Sequence, residues 1–207
     1  MNPGTSSPRI VLASASPRRR ALLEALGLTL DVITSDVEEC CEGVPSEVVV
    51  ANARAKRDDV LPRVDGPALI IAADTLVFLD DHVLGKPEDL DAAREMIALL
   101  SGRTHQVITG LAVVDTATAK RAGGFECTCV TFRSLARDEI DAFVQAVKPT
   151  DRAGAYTVDG PGSLLVERYE GCYQNVLGLP LVRLDLLLRE IGHSLFHLMD
   201  GSGAKFL

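Results

Sequence analysis

Short apolar runs alternate with amphipathic stretches along the chain, which predicts strands that alternate with helices. Residues 9–13 form a β-like run that leads into a helix-like stretch at residues 21–27. Residues 68–73 form the most apolar stretch and are typical of a strand that is buried on both faces. We expect Asp74-Thr75 to end this strand before residues 76–79 resume it.

The same pattern predicts the remaining elements and a mixed α/β fold. Further strands are expected at residues 30–33, 107–114, 124–133 and 163–168, and helices at residues 45–61, 87–100, 138–147 and 180–191. The two long strands are joined by a polar turn, which is typical of a hairpin. Residues 154–162 are rich in glycine and are expected to form a loop. These elements predict a twisted mixed sheet with helices, arranged as two lobes around a cleft.

Length and composition indicate a folded domain with a sizeable core. The chain has 207 residues, of which 47% are hydrophobic. No apolar run is long enough to span a membrane, and residues 1–7 lack the apolar core of a signal peptide. The five cysteines cannot all pair with one another and are expected to be reduced thiols. We therefore expect a soluble, cytoplasmic protein.

The charge of the chain limits the class of partner. With 29 acidic and 21 basic residues, the formal net charge is −8, so the field of the whole molecule repels polyanions. Long nucleic acid is therefore not an expected partner. A small phosphorylated ligand is compatible with this charge, because a few cations in a cleft outweigh a screened background at short range.

The junction after the first strand has the parts of an anion-binding site. Ser14 and Ser16 supply hydroxyl groups, Pro17 suits the first turn of a helix, and residues 18–20 are three arginines. A helix N-terminus and guanidinium groups together bind phosphate well. The alternative is that Ser16 is only an N-cap and the arginines are solvated. Three cations at a helix start oppose its dipole, which favours a compensating anion.

Two groups of carboxylates are candidates for chemistry. Asp36, Glu38 and Glu39 follow the second strand, and Asp74 interrupts the most apolar stretch. A carboxylate at the edge of a buried strand is costly to desolvate, so Asp74 should be paired, protonated or metal-bound. The alternatives are a turn aspartate at position 74 and a solvated acidic loop at residues 36–39. Taken together, these oxygens suit magnesium or manganese (Mg²⁺ or Mn²⁺).

Seven separated blocks of the sequence resemble the Maf-like nucleoside triphosphate pyrophosphatases. They lie, in order, at residues 12–19, 52–56, 73–75, 86–87, 100–105, 153–156 and 175–180. The resemblance implies a Maf/ITPase-like α/β fold, often a homodimer, that hydrolyses a nucleoside triphosphate to its monophosphate and pyrophosphate. It places the family domain at residues 9–192, after a flexible N-terminus at residues 1–8 and before a C-terminal tail at residues 193–207.

The resemblance also implies roles for single residues. Asp74 would accept the proton of the attacking water, and Glu39 would be a metal or acid–base carboxylate, so that both would hold the divalent metal. The residues that would face the phosphates are Ser14, Arg18, Arg19, Lys56 and Lys86. These residue types suit the reaction, because attack by water needs a base such as a carboxylate, and the charge on the leaving pyrophosphate needs cations.

Substrate choice would depend on Arg18, Thr75 and Asp159. Residues 73–75 resemble the branch that favours dTTP and UTP, but that branch usually carries glutamine at the position of Asp159. An ionised carboxylate accepts hydrogen bonds and does not donate them, so the base would be recognised differently. The family also commonly has glutamate where this chain has Gly85. A second hypothesis is therefore a nucleotide-responsive binding protein with weak catalysis, linked to growth or division control.

Overall fold

The computed structural model of the chain describes residues 8–80, 82–201 and 203–205. The strands are β1 (Arg9–Leu12), β2 (Leu30–Val32), β3 (Ala68–Leu79), β4 (His82–Leu84), β5 (Thr104–Asp115), β6 (Arg121–Phe132) and β7 (Val166–Glu170). The helices are α1 (Pro17–Glu24), α2 (Pro45–Val60), α3 (Leu90–Leu100), α4 (Arg137–Val147), α5 (Tyr173–Val176), α6 (Leu181–Glu190) and α7 (Leu195–Leu198).

The strands form one mixed sheet, which confirms the predicted fold class. Their order is β2-β1-β3-β5-β6-β7, with β4 paired to β3. β1 is parallel to both neighbours, and its last residue, Leu12, lies opposite Val32 of β2 and Ile71 of β3. β4 and β7 run antiparallel to their partners.

The predicted break at Asp74-Thr75 is wrong, because β3 continues without interruption from Ala68 to Leu79. Extended backbone is maintained on both sides of Asp74, by pairing with β1 up to Ile71 and with β4 from Val77. The carboxylate does not need a turn to satisfy it, because side chains donate to it.

The predicted strand at residues 163–168 begins too early. Gly160–Leu164 forms a 3₁₀ turn inside the stretch expected to be a loop, and β7 starts only at Val166. Pro161 lies in the first turn of this 3₁₀ segment, where the missing N–H costs nothing. Local turn chemistry therefore overrides the apolar pattern at this point.

The chain divides into two compact units. The first comprises residues 1–74, 110–125 and 181–207, and the second comprises residues 75–109 and 126–180. In the first unit, Ala53 and Val60 of α2 pack with Val11, Ile70 and Ala112 of the sheet. In the second unit, the core joins aliphatic side chains of α3 and α4 to the aromatic rings of Phe132 and Tyr156.

The described residues include little of the predicted N-terminus and most of the predicted C-terminal tail. The predicted flexible N-terminus lies outside the described residues, apart from Pro8. The predicted tail contains α7, and Leu195 of this helix is buried. Asp185 accepts hydrogen bonds from the Ser194 hydroxyl (2.9 Å) and from the Leu195 N–H (2.7 Å). In the described part of the chain, no helix is both long enough and apolar enough to cross a membrane.

Candidate active site

The candidate site of the first unit lies where β1 ends and β3 continues. The last backbone hydrogen bond between this end of β1 and β3 is donated by the Ala13 N–H to the Ile71 carbonyl (2.8 Å). Beyond it the chain turns into α1, whereas β3 extends to Asp74 and further. Ser14 therefore lies just beyond the carboxyl end of β1, and open α/β sheets bind ligands beyond the carboxyl ends of their parallel strands.

The start of α1 has the N-cap and the proline position that the sequence predicts, and anion binding there stays a prediction. Ser16 is the N-cap, and its hydroxyl accepts a bond from the Arg19 N–H (3.5 Å), while Pro17 takes the first turn. The Ser14 hydroxyl accepts from the Ser16 N–H (3.3 Å) and from the Arg19 guanidinium (2.8 Å). Ser14 and Arg19 are therefore fixed to each other.

The three arginines of this turn have different surroundings. Arg19 is buried, with 9% of its surface exposed, and Arg18 is half-buried. Arg20 is exposed and pairs with Glu24 on the helix surface (2.6 Å). Burial lowers the pKa of Arg19, and the nearby charges of Asp74 and Glu39 raise it. The guanidinium stays protonated and belongs to the same charged cluster as both carboxylates.

Asp74 is paired inside the protein, as its burial cost predicts. Only 2% of its surface is exposed. Its Oδ1 accepts from the Lys56 ammonium (2.7 Å), and its Oδ2 accepts from the Asn52 amide (2.8 Å). Asn52 and Lys56 lie four residues apart on α2 and therefore on one face of the helix.

Lys56 also reaches the second predicted carboxylate. Its Nζ lies 2.6 Å from the Glu39 Oε1, so one ammonium group is shared between Glu39 and Asp74. The other acidic residues of this loop, Asp36 and Glu38, are exposed. Glu39 is exposed as well, so the hypothesis of a solvated acidic loop fits all three residues in their exposure, and Glu39 differs only in its ion pair with Lys56.

Asn52 is a residue of the site that sequence reasoning assigned to a family block without a role. Besides Asp74, its side chain binds the backbone of Cys40 twice. The Cys40 N–H donates to Asn52 Oδ1 (2.9 Å), and Asn52 Nδ2 donates to the Cys40 carbonyl (2.8 Å). The spacing of Asn52 and Lys56 on a helix is the signal that indicates a shared face.

Three predicted substrate residues lie in the second unit. The Thr75 and Thr109 hydroxyls are 2.9 Å apart, and Thr109 donates to the Asn175 carbonyl (3.1 Å). Because the Thr109 proton is used in that bond, Thr75 is the donor to Thr109. Lys86 and Asp159 are exposed. Asp159 accepts a hydrogen bond from the Thr157 hydroxyl.

The donor set for a metal ion is small. Across the described ranges, no group of three or more His, Cys, Asp or Glu side chains is arranged to hold a metal. Asp74 and Glu39 each supply a hard oxygen donor next to the Lys56 ammonium. Magnesium is usually bound by one or two carboxylates together with substrate phosphates, so the residues present fit such an ion in kind.

Comparison with known proteins identifies the family. A family model described as "Maf-like protein" matches residues 9–191. The chain belongs to this family. The resemblance carried by the seven sequence blocks is therefore confirmed.

Relatives with assigned activities cover almost the whole chain. A dTTP/UTP pyrophosphatase of Alkaliphilus oremlandii is 45% identical over 184 residues, which are 88% of this chain and 95% of that protein. The dTTP/UTP pyrophosphatase of Pelotomaculum thermopropionicum is 44% identical, covering 89% of this chain and 97% of that protein. That of Bacillus cereus is 38% identical over 94% of this chain and 95% of its own length.

A solved structure of a nucleoside-triphosphatase / dITP/XTP pyrophosphatase from Mycobacterium abscessus is a more distant match. It is 15% identical, with a TM-score of 0.40 over 68% of this chain and 95% of that chain. The family assignment does not depend on it.

Proposed function

We propose that this protein is a nucleoside triphosphate pyrophosphatase that converts dTTP and UTP to their monophosphates and pyrophosphate. The observation that carries the proposal is the cluster in which buried Lys56 binds both the buried Asp74 and the exposed Glu39. The relatives named dTTP/UTP pyrophosphatase support this substrate class. The physiological role would be to remove unwanted or modified pyrimidine nucleotides before they enter nucleic acid.

Asp74 is the general base in this proposal. Its Oδ1 accepts a hydrogen bond from the Lys56 ammonium, and the residue is almost fully buried. Water that attacks the α-phosphorus loses a proton to a base within hydrogen-bond reach. No covalent nucleophile is needed, since the attacking oxygen comes from water.

Cationic and hydroxyl groups bind the triphosphate. Arg19 is suited to this role because its guanidinium is buried beside Ser14 at the start of a helix. Arg18 and Lys86 keep the phosphate-binding roles that the resemblance implies, and Thr75 and Asp159 keep their roles in base selection. Charge that develops on the leaving pyrophosphate is stabilised by these donors.

Asp74 and Glu39 would also hold a divalent cation, magnesium or manganese. Such an ion would neutralise phosphate charge and orient the substrate. Arg19 and Lys56 already balance the two carboxylates, so the charge of a bound triphosphate requires this ion in addition to Arg18 and Lys86. Activity should therefore disappear in the presence of EDTA and return with added Mg²⁺ or Mn²⁺.

The reaction is tested with dTTP in H₂¹⁸O and added Mg²⁺. Attack by water at the α-phosphorus places the heavy oxygen in dTMP, whereas attack at the β-phosphorus places it in pyrophosphate. We expect the label in dTMP, and we expect Asp74→Asn to lower kcat by about 10³-fold while it retains nucleotide binding. Mass spectrometry of both products and titration calorimetry measure these outcomes.

The same experiment tests the second hypothesis of a regulatory binding protein. Tight nucleotide binding without turnover, across dTTP, UTP, modified pyrimidine triphosphates and 7-methyl-GTP, would support it. Gly85, at the position where the family commonly has glutamate, is the observation that favours weak catalysis. Gly85→Glu would then raise the rate.

Assembly and compartment are part of the proposal. We expect a homodimer, as the family resemblance implies, and sedimentation equilibrium of the purified protein tests it. Because dTTP and UTP are consumed where nucleic acid is made, we expect the enzyme to act in the cytoplasm.

A further inference from the structure

Asn52 contacts Asp74 and the backbone of Cys40, the residue after Glu39, without carrying a charge. Its side chain is almost fully buried, with 4% of the residue exposed, and it lies on α2 one turn before Lys56. No step of the proposed hydrolysis uses Asn52, and the large majority of buried side-chain polar atoms in proteins are hydrogen-bonded.

The amide of Asn52 has one orientation that satisfies its partners. Cys40 N–H needs an acceptor, and the carboxylate of Asp74 needs a donor. With Oδ1 on the Cys40 N–H, Nδ2 donates both of its protons, to Asp74 Oδ2 and to the Cys40 carbonyl. A flipped amide would lose all three bonds.

These bonds couple the loop of Glu39 to the base. Cys40 follows Glu39 directly, and both hydrogen-bonding groups of its backbone are bound by Asn52. The Glu39 carboxylate is bound one helical turn further on, by Lys56. Each of these two α2 side chains also binds one oxygen of Asp74. One face of α2 therefore sets the distance and orientation between the two carboxylates.

We propose that Asn52 is a positioning residue that orients the Asp74 carboxylate and holds Glu39 at its place. The proposal rests on the proposed function, because it treats Asp74 as the base. A neutral amide suits this position for electrostatic reasons. A second lysine would add another cation to the same carboxylate, and an aspartate would place a like charge beside it.

Kinetics of dTTP hydrolysis test the role in catalysis. We expect Asn52→Ala and Asn52→Asp to lower kcat by about 10²-fold with KM within about threefold of the wild-type value, because misplacement of a base costs rate rather than binding. Asp59→Ala is the matched control. Asp59 accepts a bond from the Asp36 N–H (3.4 Å) and so holds the same loop at another point. This variant should keep kcat within about threefold of wild type.

A second measurement needs no substrate. Hydrogen exchange of the Cys40 amide should accelerate by about tenfold in Asn52→Ala, which loses the acceptor, and should stay slow in Asn52→Asp, which keeps an acceptor oxygen. Slow exchange combined with low kcat in Asn52→Asp assigns the loss to the contact with Asp74. A wild-type protein that does not hydrolyse dTTP would refute the proposed function, and the exchange data would still test the position of the loop.

Two results would overturn the proposal. One is a folded Asn52→Ala protein whose kcat stays within about threefold of wild type or whose loss lies only in KM. The other is unchanged exchange of the Cys40 amide in that variant. If Asn52→Ala does not fold, Asn52→Ser replaces it under the same criteria.

Discussion

At the scale of single residues, the Lys56 ammonium is shared between two carboxylates. It lies 2.6 Å from Glu39 Oε1 and 2.7 Å from Asp74 Oδ1. Without this cation, two negative groups would face each other at a partly buried point, which raises the free energy of the ionised pair. Lys56 therefore offsets the repulsion between the two carboxylates by contacting one oxygen of each.

We predict that Lys56→Gln lowers kcat/KM for dTTP by at least about 10²-fold, since the base and its neighbour lose their common cation. Steady-state kinetics measure this change. Lys120→Gln is the control, because Lys120 is an exposed lysine outside the site. A Lys56→Gln enzyme that keeps a third or more of wild-type kcat/KM would contradict the assigned role.

The sequence predicts that Asp74 has a partner but not which residues provide it. The cost of desolvation requires pairing of a carboxylate in an apolar strand. Its partners, Lys56 and Asn52, lie 18 and 22 positions away, and the fold alone brings them close. Asn52 was missed as a site residue because an uncharged amide has no signature of its own in a sequence.

At the scale of elements, α2 packs against β5 at Gly110. A Cβ atom at Gly110 would overlap the backbone carbonyl of Val49 on α2. Backbone atoms do not move aside as a flexible side chain does, so this position requires glycine for space rather than for its dihedral angles. The face of α2 that carries Asn52 and Lys56 therefore depends on close approach to the sheet.

We predict that Gly110→Ala lowers the free energy of unfolding by about 3 kcal/mol, through overpacking against α2. Urea denaturation, followed by circular dichroism, measures the change. Gly201→Ala serves as the control, since a Cβ there has no atom within 4 Å and should leave stability nearly unchanged. Equal midpoints for the two variants would disprove the packing argument.

Element types follow from periodicity more reliably than element ends. The predicted helix at residues 45–61 corresponds to α2, and the predicted hairpin corresponds to β5 and β6. The break expected at Asp74 was wrong because a tertiary contact, rather than a turn, satisfies the carboxylate. The start of β7 was misplaced because the 3₁₀ turn at Gly160–Leu164 precedes it.

At the scale of the whole molecule, a buried histidine, His105, and a hydrogen-bonded aspartate, Asp185, both make the folded protein less stable as the pH falls. Burial lowers the pKa of His105 to about 4. The unfolded chain takes up this proton below about pH 6.5, so stability falls as pH decreases from about 6.5 to about 4. Burial opposes ionisation of Asp185, yet bonds from Leu195 and Ser194 hold its pKa below the usual value. The stability that ionised Asp185 contributes to the fold is lost at still lower pH, when its carboxylate is protonated.

We predict that the free energy of unfolding decreases by about 3 kcal/mol between pH 7 and pH 4 through His105 alone, because burial lowers its pKa to about 4. His105→Gln should remove this part of the pH dependence and retain the loss below about pH 4. Urea midpoints for both proteins across this range measure it. Identical pH profiles for the two proteins would show that His105 is not buried in its neutral form.

The division of the chain has a consequence for synthesis on the ribosome. The first unit is assembled from three separate stretches and requires residues 181–207, whereas the second unit uses no residue beyond Pro180. During translation, the second unit can therefore close while the first still lacks α6, including Leu184 and Leu187, which are buried in the finished protein. A nascent chain that stops before residue 181 would expose apolar surface of the unit that carries Asp74, and cellular proteases would remove it.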